Sequence, residues 1–172
     1  YPLVNRVMRN LNKSLSPVTS FRIRPFGTMK ITLKTGFRFR METNETSSVT
    51  KLLFWKGADN YEYAPVVEKV VKRCSSFIDV GSNTGYYSLL AGVINPNADV
   101  YAIEPASAPY HFLARNISIN NLQQKVKPFA IAFSDRAGEV RFFEHDNPEG
   151  YHTKYNLAGT GSLKKEDLEN HK

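Results

Sequence analysis

Apolar positions recur in three different rhythms along this chain, and each rhythm predicts a different kind of element. Leu3, Val4, Val7, Met8, Leu11 and Leu15 repeat at helical spacing with Arg6, Arg9 and Lys13 between them. That is a short basic amphipathic helix, ended by Pro17. Residues 29–33 and 37–41 instead alternate with a period of two around Lys34-Thr35-Gly36, the pattern of an antiparallel hairpin. Helical spacing returns in Val66, Val67, Val70 and Val71, predicting a helix over about 61–73. The third rhythm is a short unbroken apolar run. Phe77, Ile78 and Val80 fit a parallel strand covered on both faces.

The rest of the chain alternates strand and helix. Tyr86 to Val93 reads as a helix, and Asn95-Pro96-Asn97 as a turn. A strand over 100–103 ends in Glu104-Pro105, followed by a helix capped by Ser107 with Tyr110, Leu113 and Ile117 on one face. A third strand is predicted over 126–132, a turn at 135–138, a strand near 140–143 and a weak helical signal over 163–168. Strands alternating with helices define an α/β class: a Rossmann-like three-layer sandwich with a mostly parallel sheet. The predicted division is a basic helix and hairpin extension over 1–58 and a cofactor-binding domain over 59–172.

Composition narrows this picture. The 172 residues suit one domain, 41% are apolar, and no run approaches the roughly 18 apolar residues of a membrane span. No signal-peptide pattern opens the chain, and Tyr1 stands where an uncut protein would have methionine. Cys74 is the single cysteine, which excludes an internal disulfide and cysteine-rich zinc sites; it reads as a packed structural thiol. The expected compartment is the cytoplasm, with peripheral membrane contact left open. Charge is unevenly placed. Residues 1–40 hold nine of the 23 basic residues and no acidic one, leaving 14 basic against all 16 acidic residues in the remainder. The N-terminal helix is expected to pack its apolar stripe on the domain, with docking on an anionic membrane surface or a partner as the alternative. Arg22, Arg24, Lys30, Lys34, Arg38 and Arg40 could line one polar face, for an anionic partner at residues 1–40 or for solubility alone.

Candidate chemistry concentrates at the first parallel strand. Asp79 lies near its end, and Gly81 and Gly85 bracket a tight turn into a helix. Glu104 follows Gly81 by 23 residues, ending the next strand. In a βαβ unit that brings a carboxylate beside the turn, where it can accept both ribose hydroxyls. Dinucleotides want Gly-x-Gly-x-x-Gly and a phosphate on a helix N-terminus. Here Asn83 replaces the second glycine, and Asp79 would repel a diphosphate. S-adenosylmethionine offers a ribose for Glu104, an amino group for Asp79 and no phosphate.

The segments FIDVGSNTGYYSLLAG, YAIEP, HFLARNISINN and AIAFSDRAGEVRFF resemble successive motifs of the FkbM family of S-adenosylmethionine-dependent methyltransferases, over about residues 61–143. The resemblance implies a class I fold in which Asp79, Gly81, Asn83 and Gly85 surround the methionine part of the cofactor. It implies Glu104 on the ribose, Pro105 bordering the adenine, and Ala130, Ile131 and Ala132 along the adenine edge. Tyr61-Glu62 resembles the family's Tyr-Glu pair, which brings Glu62 toward the cofactor or leaves it as a helix N-terminal carboxylate. Asn116 and Asn120 match family asparagines whose expected work is to fix loops.

After Glu144 nothing resembles the family's Lys-Ile-Asp-x-Glu-Gly-like strand. The expectation is a fragment of a longer protein, with an incomplete sheet and an exposed apolar edge at the first parallel strand. A degenerate binding domain is the alternative to a fragment. The family implies O-methylation of a sugar, glycan precursor or small hydroxylated metabolite. The competing readings are a non-catalytic module for nucleic acid or an anionic surface, and an NAD-dependent oxidoreductase. Nucleic acid is disfavoured because the basic segment offers few stacking aromatics beyond Phe21, Phe26, Phe37 and Phe39. His111 reads as a surface residue, and His145, Asp146 and His152 as solvated loop rather than metal ligands. No catalytic base is assigned.

Overall fold

The computed structural model describes residues 24–139, 141–144, 154–158 and 161–162, together with Val7 and Leu11. Val7 and Leu11 are helical and half exposed, at 50% and 51%; the remainder of the predicted N-terminal helix lies outside the described residues. So do the 163–168 helix, Val140, His145, Asp146 and His152.

The hairpin forms as its alternation predicts. Strand β1 (Gly27–Thr32) pairs antiparallel with β2 (Arg38–Thr43), with Ile31 opposite Phe39 and Met29 opposite Met41. Ile31, Leu33, Phe39 and Met41 are buried, while Lys30, Arg38 and Arg40 face solvent. Helix α1 (Ser48–Lys56) then appears where the sequence reading placed no element. Ser47 caps it by accepting the Thr50 N–H at 3.3 Å, and Gly57 ends it with φ +83° and an N–H donated to Leu53. Its β-branched opening, Val49-Thr50, hides it from a propensity reading.

Helix α2 (Ala64–Val71) begins three residues later than its periodicity suggests, with Pro65 in its first turn. Only Ala64 and Val71 of this helix are buried; Val66 and Val70 are exposed. Cys74 sits half-buried at its end, with Sγ 3.3 Å from the Val70 carbonyl.

Three parallel strands follow: β3 (Ser76–Val80), β4 (Asp99–Ile103) and β5 (Val126–Phe129), in the order β3-β4-β5. They are joined by helices α3 (Tyr86–Ile94) and α4 (Ser107–Ile119). This βαβαβ unit is one mononucleotide-binding half of a Rossmann-like α/β fold. Register puts Val100 beside Val126 and Asp79 beside Ala102. Val100, Ala102 and Val126 are fully buried with Leu89, Leu90 and Leu113 of the two helices. That same core contains Ile31, Leu33, Phe39, Met41 and Leu53, so the hairpin and the parallel sheet share one core.

The other face corrects one expectation. Ile78 and Val80 are 60% and 56% exposed rather than covered on both faces. Among the described residues β3 pairs only with β4, so its other edge is open, as the absence of a matching later strand had suggested. Three further differences are local. Ser107 is the first helical residue, not the cap; Glu144 accepts its N–H at 2.8 Å. Strand β5 stops at Phe129, leaving 130–132 outside it. The strand predicted near 140–143 is represented among the described residues by a single bridge, Phe143 to Ser162. No helix among the described residues is long and apolar enough to cross a membrane.

Candidate cofactor site

The turn between β3 and α3 is hooked to the end of β4. The N–H groups of Gly81 and Ser82 both donate to the Ile103 carbonyl at 2.9 Å. Three residues in five adopt left-handed backbone: Gly81 (φ +77°), Asn83 (φ +50°) and Gly85 (φ +92°). Asn83 tolerates this conformation better than most side chains, and its Oδ1 accepts the Thr84 N–H at 2.8 Å. The two glycines serve different needs. A Cβ on Gly81 would meet nothing within 4 Å, whereas one on Gly85 would lie 2.6 Å from Leu113 Cδ1.

Glu104 is drawn between two turns. Its Oε2 accepts the Asn83 N–H at 2.8 Å and its Oε1 accepts the Ala106 N–H at 2.9 Å. Only 6% of the residue is exposed, and burial raises its carboxyl above the usual range although both N–H bonds pull it down. Each oxygen retains a second lone pair, so the carboxylate can still accept from a ligand. Asp79 accepts the Ser88 hydroxyl at 2.6 Å, and burial raises its carboxyl too. Glu62 holds a left-handed backbone (φ +36°) just before α2, unusual for a glutamate. Its carboxylate acts on the Tyr61 and Tyr87 phenols, both raised first by burial, and Tyr87 in turn feels Asp79. Tyr87 lies in the first turn of α3. Its hydroxyl also accepts the Tyr63 N–H at 3.1 Å.

A cleft of about 430 Å³ opens at the carboxyl ends of the parallel strands. Of the predicted residues, Gly81, Pro105, Ile131 and Ala132 line it; Ala130 is the neighbour of Ile131. Asp79, Asn83, Gly85, Glu104 and Glu62 are not in its lining, although Asn83 and Glu104 are bonded to each other at its rim. Phe133, Phe142 and Ser162 also line the cleft and were not singled out from sequence. Phe142 arrives through the Phe143–Ser162 bridge, a long-range pairing that no local pattern announces. Among the described residues no lysine or arginine lines the cleft. Among the described residues no group of three or more His, Cys, Asp or Glu side chains could hold a metal ion.

No family model matches the chain. Over 76 residues it is 33% identical to the methyltransferase sdnD of Sordaria araneosa, a match covering 44% of this chain and 29% of that protein. The matched region thus spans under a third of the length of this curated relative. Several solved structures resemble it in part. The SAM-dependent methyltransferase from Agrobacterium tumefaciens is 13% identical over 63% of this chain and 34% of its own, with a TM-score of 0.41. TYW2 of Pyrococcus horikoshii, in complex with MeSAdo, is 14% identical over 81% of this chain and 53% of its own, with a TM-score of 0.42.

Proposed function

We propose that this chain carries the cofactor half of an S-adenosylmethionine-dependent methyltransferase of the FkbM type, acting on a hydroxyl of a sugar, glycan precursor or small hydroxylated metabolite. The observation that carries this reading is Glu104. A buried carboxylate is held by two backbone N–H groups beside a glycine whose side-chain direction is open space. Similarity to a curated methyltransferase over 76 residues supports the same reading.

The residues fit that cofactor better than a dinucleotide. A volume of about 430 Å³ falls in the usual range for small-ligand sites. Among the described residues the cleft lining has no basic side chain, and the carboxylates of Asp79, Glu104 and Glu62 oppose a diphosphate but welcome a cationic group. When bound, S-adenosylmethionine supplies a methyl group activated by its sulfonium. Glu104 accepts from the ribose hydroxyls with its remaining lone pairs. Asp79 and Glu62 orient the amino group, with Asn83 and Gly85 shaping the turn around the methionine part. Gly81 gives the backbone clearance for close approach. Pro105, Ala130, Ile131 and Ala132 flank the adenine. The protein's contribution is alignment of donor and acceptor. The single half-buried thiol of Cys74 supports a cytoplasmic setting.

The test is transfer of a labelled methyl group to a panel of hydroxylated acceptors and their amine analogues. Label on hydroxyl acceptors, abolished by Glu104→Ala, is the expected result. Label on amines alone would overturn the choice of acceptor.

A second observation concerns the hairpin. Lys30 and Arg40 stand directly opposite each other across β1 and β2, with the Arg40 guanidinium donating to the Ile119 carbonyl, and an anionic partner would offset their like charge. Binding there would weaken steeply with salt and ignore Glu104 substitutions.

A further inference from the structure

The hairpin's outer edge is closed by two side chains from α4. Strand β2 presents the N–H and C=O of Arg40 and Glu42 away from β1, an edge that could recruit another strand. Asn120 takes the Arg40 pair: its Oδ1 accepts the Arg40 N–H at 2.7 Å and its Nδ2 donates to the Arg40 carbonyl at 2.7 Å. One helical turn earlier, Asn116 takes the Glu42 pair. Its Oδ1 accepts the Glu42 N–H at 2.6 Å and its Nδ2 donates to the Glu42 carbonyl at 3.2 Å. Residues four apart on a helix share a face, and alternate residues of a strand share an edge, so the two carboxamides imitate a neighbouring strand.

Asn116 does one thing more. Its Nδ2 also donates to the Thr84 carbonyl at 2.9 Å, inside the glycine turn, and the residue is fully buried. Thr84 adjoins Asn83, whose N–H holds Glu104. A single side chain therefore spans the strand edge and the turn, with both Nδ2 protons and Oδ1 engaged. Among the described residues Asn120 makes no hydrogen bond to the turn; its third bond goes to the Asn116 carbonyl at 2.7 Å.

We propose that Asn116 is a positioning residue that locks the Gly81–Gly85 turn to the edge of β2, making the hairpin part of the cofactor site rather than an appendage. The consequence for ligand affinity rests on the S-adenosylmethionine reading; the locking itself does not. Asn116→Ala and Asn120→Ala form a matched pair that separates the two. Without ligand, amide hydrogen exchange should quicken at Glu42 and across Ser82–Gly85 in Asn116→Ala, but only around Arg40 in Asn120→Ala. The Asn83 N–H bond lowers the Glu104 titration, so the Glu104 carboxyl, followed by carbon NMR, should titrate at higher pH in Asn116→Ala and not in Asn120→Ala. A merely structural role would not move that signal selectively. Affinity for S-adenosylhomocysteine should fall about ten-fold in the first variant and less than about two-fold in the second.

Unchanged exchange in the turn, or equal behaviour of the two variants, would overturn the lock. Absence of S-adenosylhomocysteine binding by the wild type would count against the cofactor reading alone. If Asn116→Ala does not fold, the wild type still decides: its Asn116 Nδ2 protons should exchange slowly, and rapid exchange would overturn the proposal.

Discussion

Gly81 and Gly85 are four residues apart, both left-handed, and look interchangeable in the sequence, yet they belong to opposite sides of the turn. Gly81 faces open space at the cleft; Gly85 faces Leu113, with no room for a single methyl group. The side proposed to take the cofactor also carries Glu104, bonded to the Asn83 N–H, and Asp79, bonded to the Ser88 hydroxyl. The packing side carries Thr84, Asn116 and the Leu113 contact. The same residue type thus answers to approach in one place and to close packing in the other. A glycine spacing motif alone cannot distinguish them.

Substitutions should separate the two sides, and the largest effect belongs to the packing side. Gly85→Val combines overpacking against Leu113 with left-handed strain and should cost about 3 kcal/mol, lowering the thermal midpoint by several degrees. If Gly85→Val melts with the wild type, the packing assignment fails. Gly81→Val should show the reverse, with cofactor affinity falling at least about a hundred-fold while stability drops by about 1–2 kcal/mol of backbone strain. Calorimetry with S-adenosylhomocysteine and a thermal melt on the same sample resolve the two effects.

Glu104→Gln is next, at about ten- to a hundred-fold in affinity, because a charge-assisted acceptor becomes a neutral one. Its pH signature has a definite sign. Burial raises Glu104 from its ordinary 4.5 and Asp79 from 3.8, so the folded state holds protons that the unfolded state has released. Stability should therefore rise as pH falls from neutral through the raised values, and stop rising below the ordinary ones. Ligand affinity should move oppositely, weakening as Glu104 gains its proton. Denaturant titrations across that range should show a flatter profile in Glu104→Gln, and an unchanged slope would contradict the assignment. The smallest effect is Arg115→Ala. Its pair with Glu42 at 2.9 Å is half exposed, and its loss should cost under about 1 kcal/mol and leave affinity alone.

Much of this was legible in the sequence, for physical reasons. The hairpin, the parallel strands and the glycine turn follow from hydrophobic period and from where a chain needs positive φ. Glu104 was legible because strand length and crossover length fix its distance from the turn. Helix α1 was not, since Val49 and Thr50 weaken its propensity and its capping by Ser47 and Gly57 is local geometry. Ile78 and Val80 read as doubly buried because an apolar run reports a strand's character, not the presence of its neighbours. Phe142 and Asn116 enter the site through contacts distant in sequence, which no local pattern encodes. Asn116 was visible only as a residue that would fix a loop; which loop, and against what, required the fold.

The central claim is that the open side of this turn, with Glu104, binds S-adenosylmethionine. Calorimetric titration of S-adenosylhomocysteine into the wild type, Gly81→Val and Glu104→Gln at neutral pH tests it most directly, with NAD as the comparison ligand. Saturable binding by the wild type, absent in Gly81→Val, weakened in Glu104→Gln and not matched by NAD, is the predicted result. Equal affinity in all three proteins, or preference for NAD, would contradict it.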